Sequence, residues 1–242
     1  MTYKERFFAH YGATHLTPRK GAVTPEGLRE RAVAWQQQFR EFLPTDPDAR
    51  ILDAGCGYGA VVWWLQAIGY RHAEGIDVSG EQVDAGAMLG ISNLARADVE
   101  EFLAGREGTY DAIIARDLLE HLPRDVLVCV VDGMHRALRK GGVLIIQAPN
   151  AESPFGGRIR YGDFTHELAF TSASISQLLR VSGFARVVTR PVRPVLRGLR
   201  SRVRALSWRL VEAAMRAVLT AEVGCGNYIV TQNLLAVAWK EP

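Results

Sequence analysis

Two hydrophobic periods alternate along the chain. Short apolar runs at 50–55, 72–79, 93–98, 110–117 and 142–150 have the length and side-chain type of strands, the fifth stopped by Pro149. Between them lie segments whose apolar residues recur at three- and four-residue spacing. One covers 25–43, opened by Thr24 and Pro25; one covers 58–68, closed by Gly69; one runs from Ser79, at the capping position, to about 89. A fourth spans 125–139 and ends at "RKGG". Further along, 171–182 reads as a helix, "FARVVTR" as a sixth strand and 227–240 as a last one. The stretch 150–168 has no period, is rich in glycine and polar residues, and is too long for a routine connection. This βαβα rhythm predicts an α/β fold, a mostly parallel sheet with helices on both faces.

Composition narrows the class. With 48% hydrophobic and 23% charged residues in 242, the chain is globular and long enough for one full core. Cys56, Cys129 and Cys225 are odd in number and form no CxxC pair, and the "MTYKERFFAHYG" start lacks a signal-peptide core, so a cytoplasmic location is expected. The net charge of +3 is uneven: residues 190–216 hold eight arginines against one acid, Glu212. A nucleic-acid-binding face would spread that charge more widely, so no nucleic-acid partner is expected.

The candidate chemistry begins at "RILDAGCGYGA". Three glycines, Gly55, Gly57 and Gly59, follow a strand and allow a tight turn, with backbone amides expected to face a ligand. Dinucleotide sites use GxGxxG at this turn; here the spacing is GxGxG, and Asp53 precedes it on the strand. A buried acid there repels phosphate and suits a cation. Asp77 ends the second strand where a carboxylate can accept from ribose hydroxyls, and Asp98 ends the third where it can accept from an adenine amino group, with Val99 beside it. Acids at three successive strand ends point to a cationic, phosphate-free adenosine ligand, which describes S-adenosylmethionine. Asp98 could equally cap the helix that starts "VEEF".

The motifs "LDAGCGYG", "GIDVS", "ADVEEF", "YDAIIARDLLEHL" and "LRKGGVLIIQAPN" resemble, in order and spacing over about 25–190, those of class I S-adenosylmethionine-dependent methyltransferases. The resemblance implies a Rossmann-like seven-stranded, mostly parallel sheet. It assigns the loop around Gly55, Cys56, Gly57 and Gly59 to the methionine part of the cofactor, with Arg116 lining that end, Asp77 and Val78 to the ribose side, and Asp98 and Val99 to the adenine. It also implies a lid from residues 1–24, where Tyr3, Phe7, Phe8 and Tyr11 would exclude water, though their spacing fits plain packing of a helix face equally, ahead of a domain over 25–242.

For the acceptor, the chain lacks the Asp/Asn-Pro-Pro-Tyr quartet of many N-methyltransferases, which favours oxygen. "YGDFTHELAFT" resembles an element of ubiquinone-pathway and glycan-modifying O-methyltransferases, and makes His166 the expected general base with Asp163 orienting it. The alternative is that His166 only closes the loop before the helix near Thr171. Asp117, Glu120 and His121 would share one face of a helical turn and could converge on Mg2+, as the acid-x-x-Glu-His pattern of quinone-pathway relatives implies; Glu120 and His121 could instead only pin the loop. The expected acceptor is a sugar hydroxyl of a surface polysaccharide or its lipid- or nucleotide-linked precursor, with a quinone or secondary metabolite as alternative. Readings of another class are a NAD-dependent oxidoreductase and a non-enzymatic S-adenosylmethionine-binding protein.

Residues 191–226 read as an insertion before the last strand. Val192, Leu196, Leu199, Val203, Leu206 and Leu210 repeat by four and three on a helix from about Pro194, with Arg193, Arg197, Arg200, Arg202, Arg204 and Arg209 on the remainder and Trp208 at the margin. Such a helix suits peripheral contact with an anionic inner membrane face through 191–222, a cover over the acceptor site, a homodimer contact, or simply a solvated surface helix.

Overall fold

The computed structural model describes residues 3–11, 14 and 24–242. The remainder of the expected lid, residues 1, 2, 12, 13 and 15–23, lies outside the described residues. Seven strands form one sheet in the order β3-β2-β1-β4-β5-β7-β6. They are β1 (Arg50–Ala54), β2 (His72–Asp77), β3 (Leu94–Arg96), β4 (Tyr110–Arg116), β5 (Leu138–Pro149), β6 (Arg186–Pro191) and β7 (Asn233–Trp239). Strands β1 to β5 pair in parallel, whereas β7 runs antiparallel between β5 and β6. The fold is therefore the expected α/β architecture.

Alternation along each strand divides the core between the two faces. Leu52, Ala54, Ile113, Ala115, Leu144 and Ile146 point to one side and are covered with the help of Leu127, Val131 and Met134. Those three stand on the helix Arg124–Ala137. Ile51, Ala112, Ile114, Val143 and Ile145 point to the other, where Trp35, Phe39 and Trp64 pack. Because both faces are covered, the central strands read as nearly unbroken apolar runs.

Some boundaries moved. The helix from Pro25 ends at Gln38, and a short 3-10 turn, Arg40–Phe42, completes the predicted segment. "RKGG" does not close the helix Arg124–Ala137 from outside; it starts β5, with Gly141 in left-handed backbone at φ 72° and a register shift against β4. The irregular 150–168 stretch contains one short helix, Gly156–Arg160. The last strand begins only at Asn233. Ser79 stands at the start of the helix Gly80–Met88 but makes no capping bond; its hydroxyl donates to the carbonyl of Phe8 at 3.2 Å.

Tight packing at the first turn explains one glycine. Gly59 has φ 78°, and a Cβ there would lie 2.7 Å from the methyls of Leu94. Gly59→Ala is expected to cost about 1–3 kcal/mol from left-handed strain and crowding, read as a lowered urea midpoint at constant slope.

Candidate functional site

The turn after β1 meets the end of β2. The amides of Gly55 and Cys56 both donate to the Ile76 carbonyl at 2.9 Å, Gly57 donates to Asp77 Oδ2 at 2.8 Å, and Gly59 donates to the Cys56 carbonyl at 3.0 Å. The glycine amides are thus spent inside the protein, contrary to the expectation that they face a ligand. What the missing side chains leave is a smooth wall whose donors are already engaged, a poor cradle for diphosphate.

The acids around this wall are held differently. Asp53 is buried on β1 with Oδ1 bonded to nothing among the described residues. Burial pushes its carboxyl up to about 7, against the pull of Arg116 and with Asp77 and Asp117 adding to the rise. An orphaned buried carboxyl fits an incoming ammonium group. Asp77 has one oxygen on Gly57 and the other on the Ser79 amide at 2.8 Å; burial raises its carboxyl and these two bonds oppose the rise. A carboxylate oxygen accepts more than one bond, so capacity remains for two hydroxyls. Asp98 caps the helix Val99–Leu103 through Oδ1, which accepts from Glu100 and Glu101 at 2.8 and 3.3 Å. Val78 is exposed and Val99 buried at the ends of these elements. Cys56 is a buried free thiol, its ionisation disfavoured first by burial and then by Asp53 and Asp77.

A second cluster lies beyond β4. Its backbone turns at Asp117, a non-glycine residue in left-handed conformation at φ 55°. Asp117 Oδ1 accepts from Gln147 at 2.9 Å and Oδ2 from Arg116 at 3.0 Å. Leu119–His121 then forms a 3-10 turn. The expected helical face with Asp117, Glu120 and His121 does not form, because the left-handed residue and the tighter turn break the required i, i+3, i+4 geometry. Asp117 is drawn towards the strands instead.

What joins Glu120 and His121 is His166, 45 residues away on the loop after β5. Ligand atoms of the three lie within 4.8 Å of one another, and the two imidazole rings meet edge to face with centroids 4.6 Å apart. The loop is sewn down by the Glu120 carbonyl, which accepts from the amides of Glu167 and Leu168 at 2.7 and 3.1 Å. His166 Nδ1 lies 3.0 Å from the Ile159 carbonyl, which fixes Nδ1 as the protonated nitrogen and leaves the lone pair on Nε2. That Nε2 is 3.9 Å from Glu120 and 4.0 Å from Asp163. The orienting group is therefore a backbone carbonyl rather than the predicted Asp163. Asp163 is occupied by Thr165, whose hydroxyl donates at 2.7 Å, and by Tyr11 at 2.5 Å; the Thr165 hydroxyl in turn lies 2.9 Å from His121 Nδ1.

Burial disfavours charge on all three members of this cluster. Burial lowers His166 below its ordinary 6.5, and burial, with His166 nearby, pushes His121 down to about 4. Glu120 is raised well above the ordinary carboxylate range by burial first and then by the charge of Asp117, and its Oε2 has no partner among the described residues. Two imidazoles and one carboxyl are a nitrogen-rich donor set, whereas Mg2+ selects oxygen ligands. The residues present do not fit the expected magnesium site.

The amino-terminal segment covers the cluster. Lys4 reaches the His121 carbonyl and Glu167, and Tyr3 donates to Glu167 at 2.9 Å. Phe7 stacks on Phe164 at 5.1 Å, while Phe8 and Tyr11 stand edge-on to His121 at 5.9 and 6.2 Å. Sequence reasoning missed Ile159, Thr165 and Gln147. A polar residue within the apolar run "VLIIQA" marks Gln147, but a contribution through a main-chain carbonyl leaves no side-chain signal at Ile159.

Residues 28–189 match the model of a family described as "Methyltransferase domain". The chain belongs to that methyltransferase family. It is 31% identical over 107 residues to the ubiquinone biosynthesis O-methyltransferase of Xylella fastidiosa, a match covering 42% of each protein, so the chain spans less than half the length of the curated relatives it matches. In fold it is similar to a SAM-dependent methyltransferase from Archaeoglobus fulgidus, with TM-score 0.66 and 18% identity over 88% of this chain and 94% of that one. A phosphoethanolamine N-methyltransferase 2 of Haemonchus contortus, in complex with phosphomonomethylethanolamine and S-adenosylhomocysteine, superposes with TM-score 0.63 and 15% identity, covering 97% of this chain and 61% of that one. The family match supports the expected S-adenosylmethionine-dependent methyltransferase class over the oxidoreductase reading. None of these relatives is named for a sugar or polysaccharide, and the expected glycan acceptor gains nothing from them. No helix among the described residues is long and apolar enough to cross a membrane.

Proposed function

We propose that this methyltransferase acts on oxygen, methylating a phenolic hydroxyl of a planar, quinol-like acceptor, with His166 as general base. The observation that carries the reading is the neutral His166 whose lone pair on Nε2 faces into a cluster roofed by Phe7, Phe8 and Tyr11. Aromatic walls suit a flat acceptor, and the name of the Xylella fastidiosa relative supports a quinone over a sugar.

S-adenosylmethionine, when bound, supplies an electrophilic methyl group on sulfur. This chain's residues bind and align it. Asp77 takes the ribose hydroxyls, and Asp98 takes the adenine amino group with the oxygen its cap leaves over, the ring resting between Val78 and Val99. The orphan oxygen of Asp53 takes the ammonium beside the smooth Gly55–Gly59 turn, and Arg116, whose buried Nε is unpaired among the described residues, faces the carboxylate. His166 Nε2 receives the hydroxyl proton as oxygen attacks, while the Ile159 carbonyl stabilises the imidazolium that forms. Burial disfavours a charge on Glu120 beside the incoming phenol. The roof excludes water, which would otherwise solvate the nucleophile.

S-adenosylhomocysteine is expected to raise the melting temperature and NAD to leave it unchanged. A single-turnover screen of catechols against free sugars should give methylated catechol only; product from sugars alone would overturn the acceptor class.

A further inference from the structure

The insertion between β6 and β7 contains a 25-residue helix, Leu199–Val223. The apolar repeat starts later than Pro194, and its orientation is the reverse of a core helix. Leu199, Val203, Leu206 and Leu210 are 78%, 58%, 61% and 68% exposed. Exposed Ala213, Ala214, Ala217 and Ala221 continue the same side. The inward face carries Ser201, Ala205, Trp208 and buried Glu212, the last paired with Arg193 at 3.2 Å. Trp208 thus belongs to the protein side, not to the exposed margin.

Arginines flank the outward stripe on both sides. At 3.6 residues per turn, Arg200 and Arg204 lie along one edge and Arg202 and Arg209 along the other. Arg197, Arg200 and Arg204 also line one cleft with Val195 and Ser201. Covering its own acceptor site is excluded for the stripe, which faces away from the protein. A second copy would set arginine edges against arginine edges, and exposed Glu222 near the far end is the one acid of the helix besides buried Glu212 to answer them.

From this apolar stripe between two cationic edges we infer that the methyltransferase docks on an anionic lipid bilayer through the helix Leu199–Val223. The stripe enters the acyl boundary, the arginine stems lie along it, and their guanidinium groups remain at the phosphates. The docked helix is tied to the site from both ends. Gln37 bonds Leu196 at 3.2 Å and Arg197 lies 3.5 Å from Glu30, both on the helix Pro25–Gln38 whose Arg31 sits over Tyr58 of the glycine turn. At the other end Arg216 donates to the Tyr228 carbonyl, beside Ile229, whose amide meets Glu152 on the loop that carries His166. The docked helix is thereby fixed to elements that carry both the glycine turn and the His166 loop. The inference does not depend on which acceptor is used.

The test is sedimentation of the full chain with vesicles of phosphatidylcholine alone or mixed with phosphatidylglycerol. Retention is expected only with the anionic vesicles and should fall as salt rises, because the attraction is screened within about 8–10 Å at ordinary ionic strength. Arg200→Gln with Arg204→Gln should weaken binding about 25-fold, from roughly fivefold per arginine. Leu206→Asp with Leu210→Asp should abolish it. Both pairs lie on the exposed side, so stabilisation by S-adenosylhomocysteine should persist in each and separates this proposal from the catalytic one. Wild-type chain left in the supernatant with both vesicles would overturn the proposal, as would retention that neither pair of substitutions changes. A concentration-dependent dimer dispersed by Leu206→Asp, without vesicle binding, would assign the stripe to a second copy.

Discussion

Replacing His166 with alanine is expected to lower kcat by about 100- to 10,000-fold, the range for losing a general base, with affinity for S-adenosylhomocysteine unchanged. His166 sits on the acceptor side, and its ring is positioned by the Ile159 carbonyl rather than by any cofactor-binding residue. The pH profile gives an independent readout. Only neutral imidazole accepts the proton, and burial holds His166 below its ordinary 6.5, so the acidic limb of kcat should lie below pH 6.5 and the rate should be level at and above neutrality. His166→Gln preserves much of the side-chain volume but supplies no base and should be as slow as alanine. Turnover retained in either variant would remove His166 from the mechanism.

The second large effect concerns Asp53. In the ligand-free protein its carboxyl is raised to about 7 by burial, whereas in the unfolded chain it ionises near 3.8. Below pH 3.8 both states are protonated and the folded chain bears no charge penalty at this position. As pH rises towards 7 the unfolded state ionises first, so this contribution to stability is lost, on the order of 4 kcal/mol at about 1.4 kcal/mol per pH unit. Asp53→Asn removes the ionisation but leaves an amide that still lacks a partner, a cost of about 1–3 kcal/mol. The net expectation is a ligand-free variant more stable than wild type by about 1–3 kcal/mol at pH 8, with the advantage shrinking on acidification. The same substitution should weaken S-adenosylhomocysteine binding by at least about tenfold, since one charge-assisted contact to the ammonium is lost. Calorimetry in buffers of different ionisation enthalpy should show wild-type binding release a proton near pH 6, and Asp53→Asn release none. A variant that is less stable at pH 8 yet binds normally would mean the orphan carboxyl serves packing alone.

These two residues differ in how visible they are along the chain. Asp53 stands next to its glycines, and the whole cofactor side is local in this sense: β1, its turn, and acids at the ends of β2 and β3 follow one another in register. Strand periodicity places each acid at the same edge of the sheet, so position along the chain predicts position in space. The acceptor side is non-local. His121 and His166 meet only because β4 and β5 are neighbours and the Glu120 carbonyl pins the returning loop. Asp117 looked like part of that group by spacing, but a left-handed residue turns it towards Gln147.

The arginine helix makes the same distinction from the other direction. Its four-and-three repeat is plain in the residues, and so is its charge. A repeat defines an apolar side without stating what lies against it, and here buried Glu212 and Trp208 turn inward while the leucines face out. What the amino-acid order determined by itself was the α/β sheet, the glycine turn and the acids beside it, because hydrophobic period and backbone permissiveness act between near neighbours. Only the tertiary structure decided which histidines share a pocket, which carbonyl orients the base and which way the long helix presents its apolar side. Those depend on contacts between segments dozens of residues apart, whose energies no local pattern records.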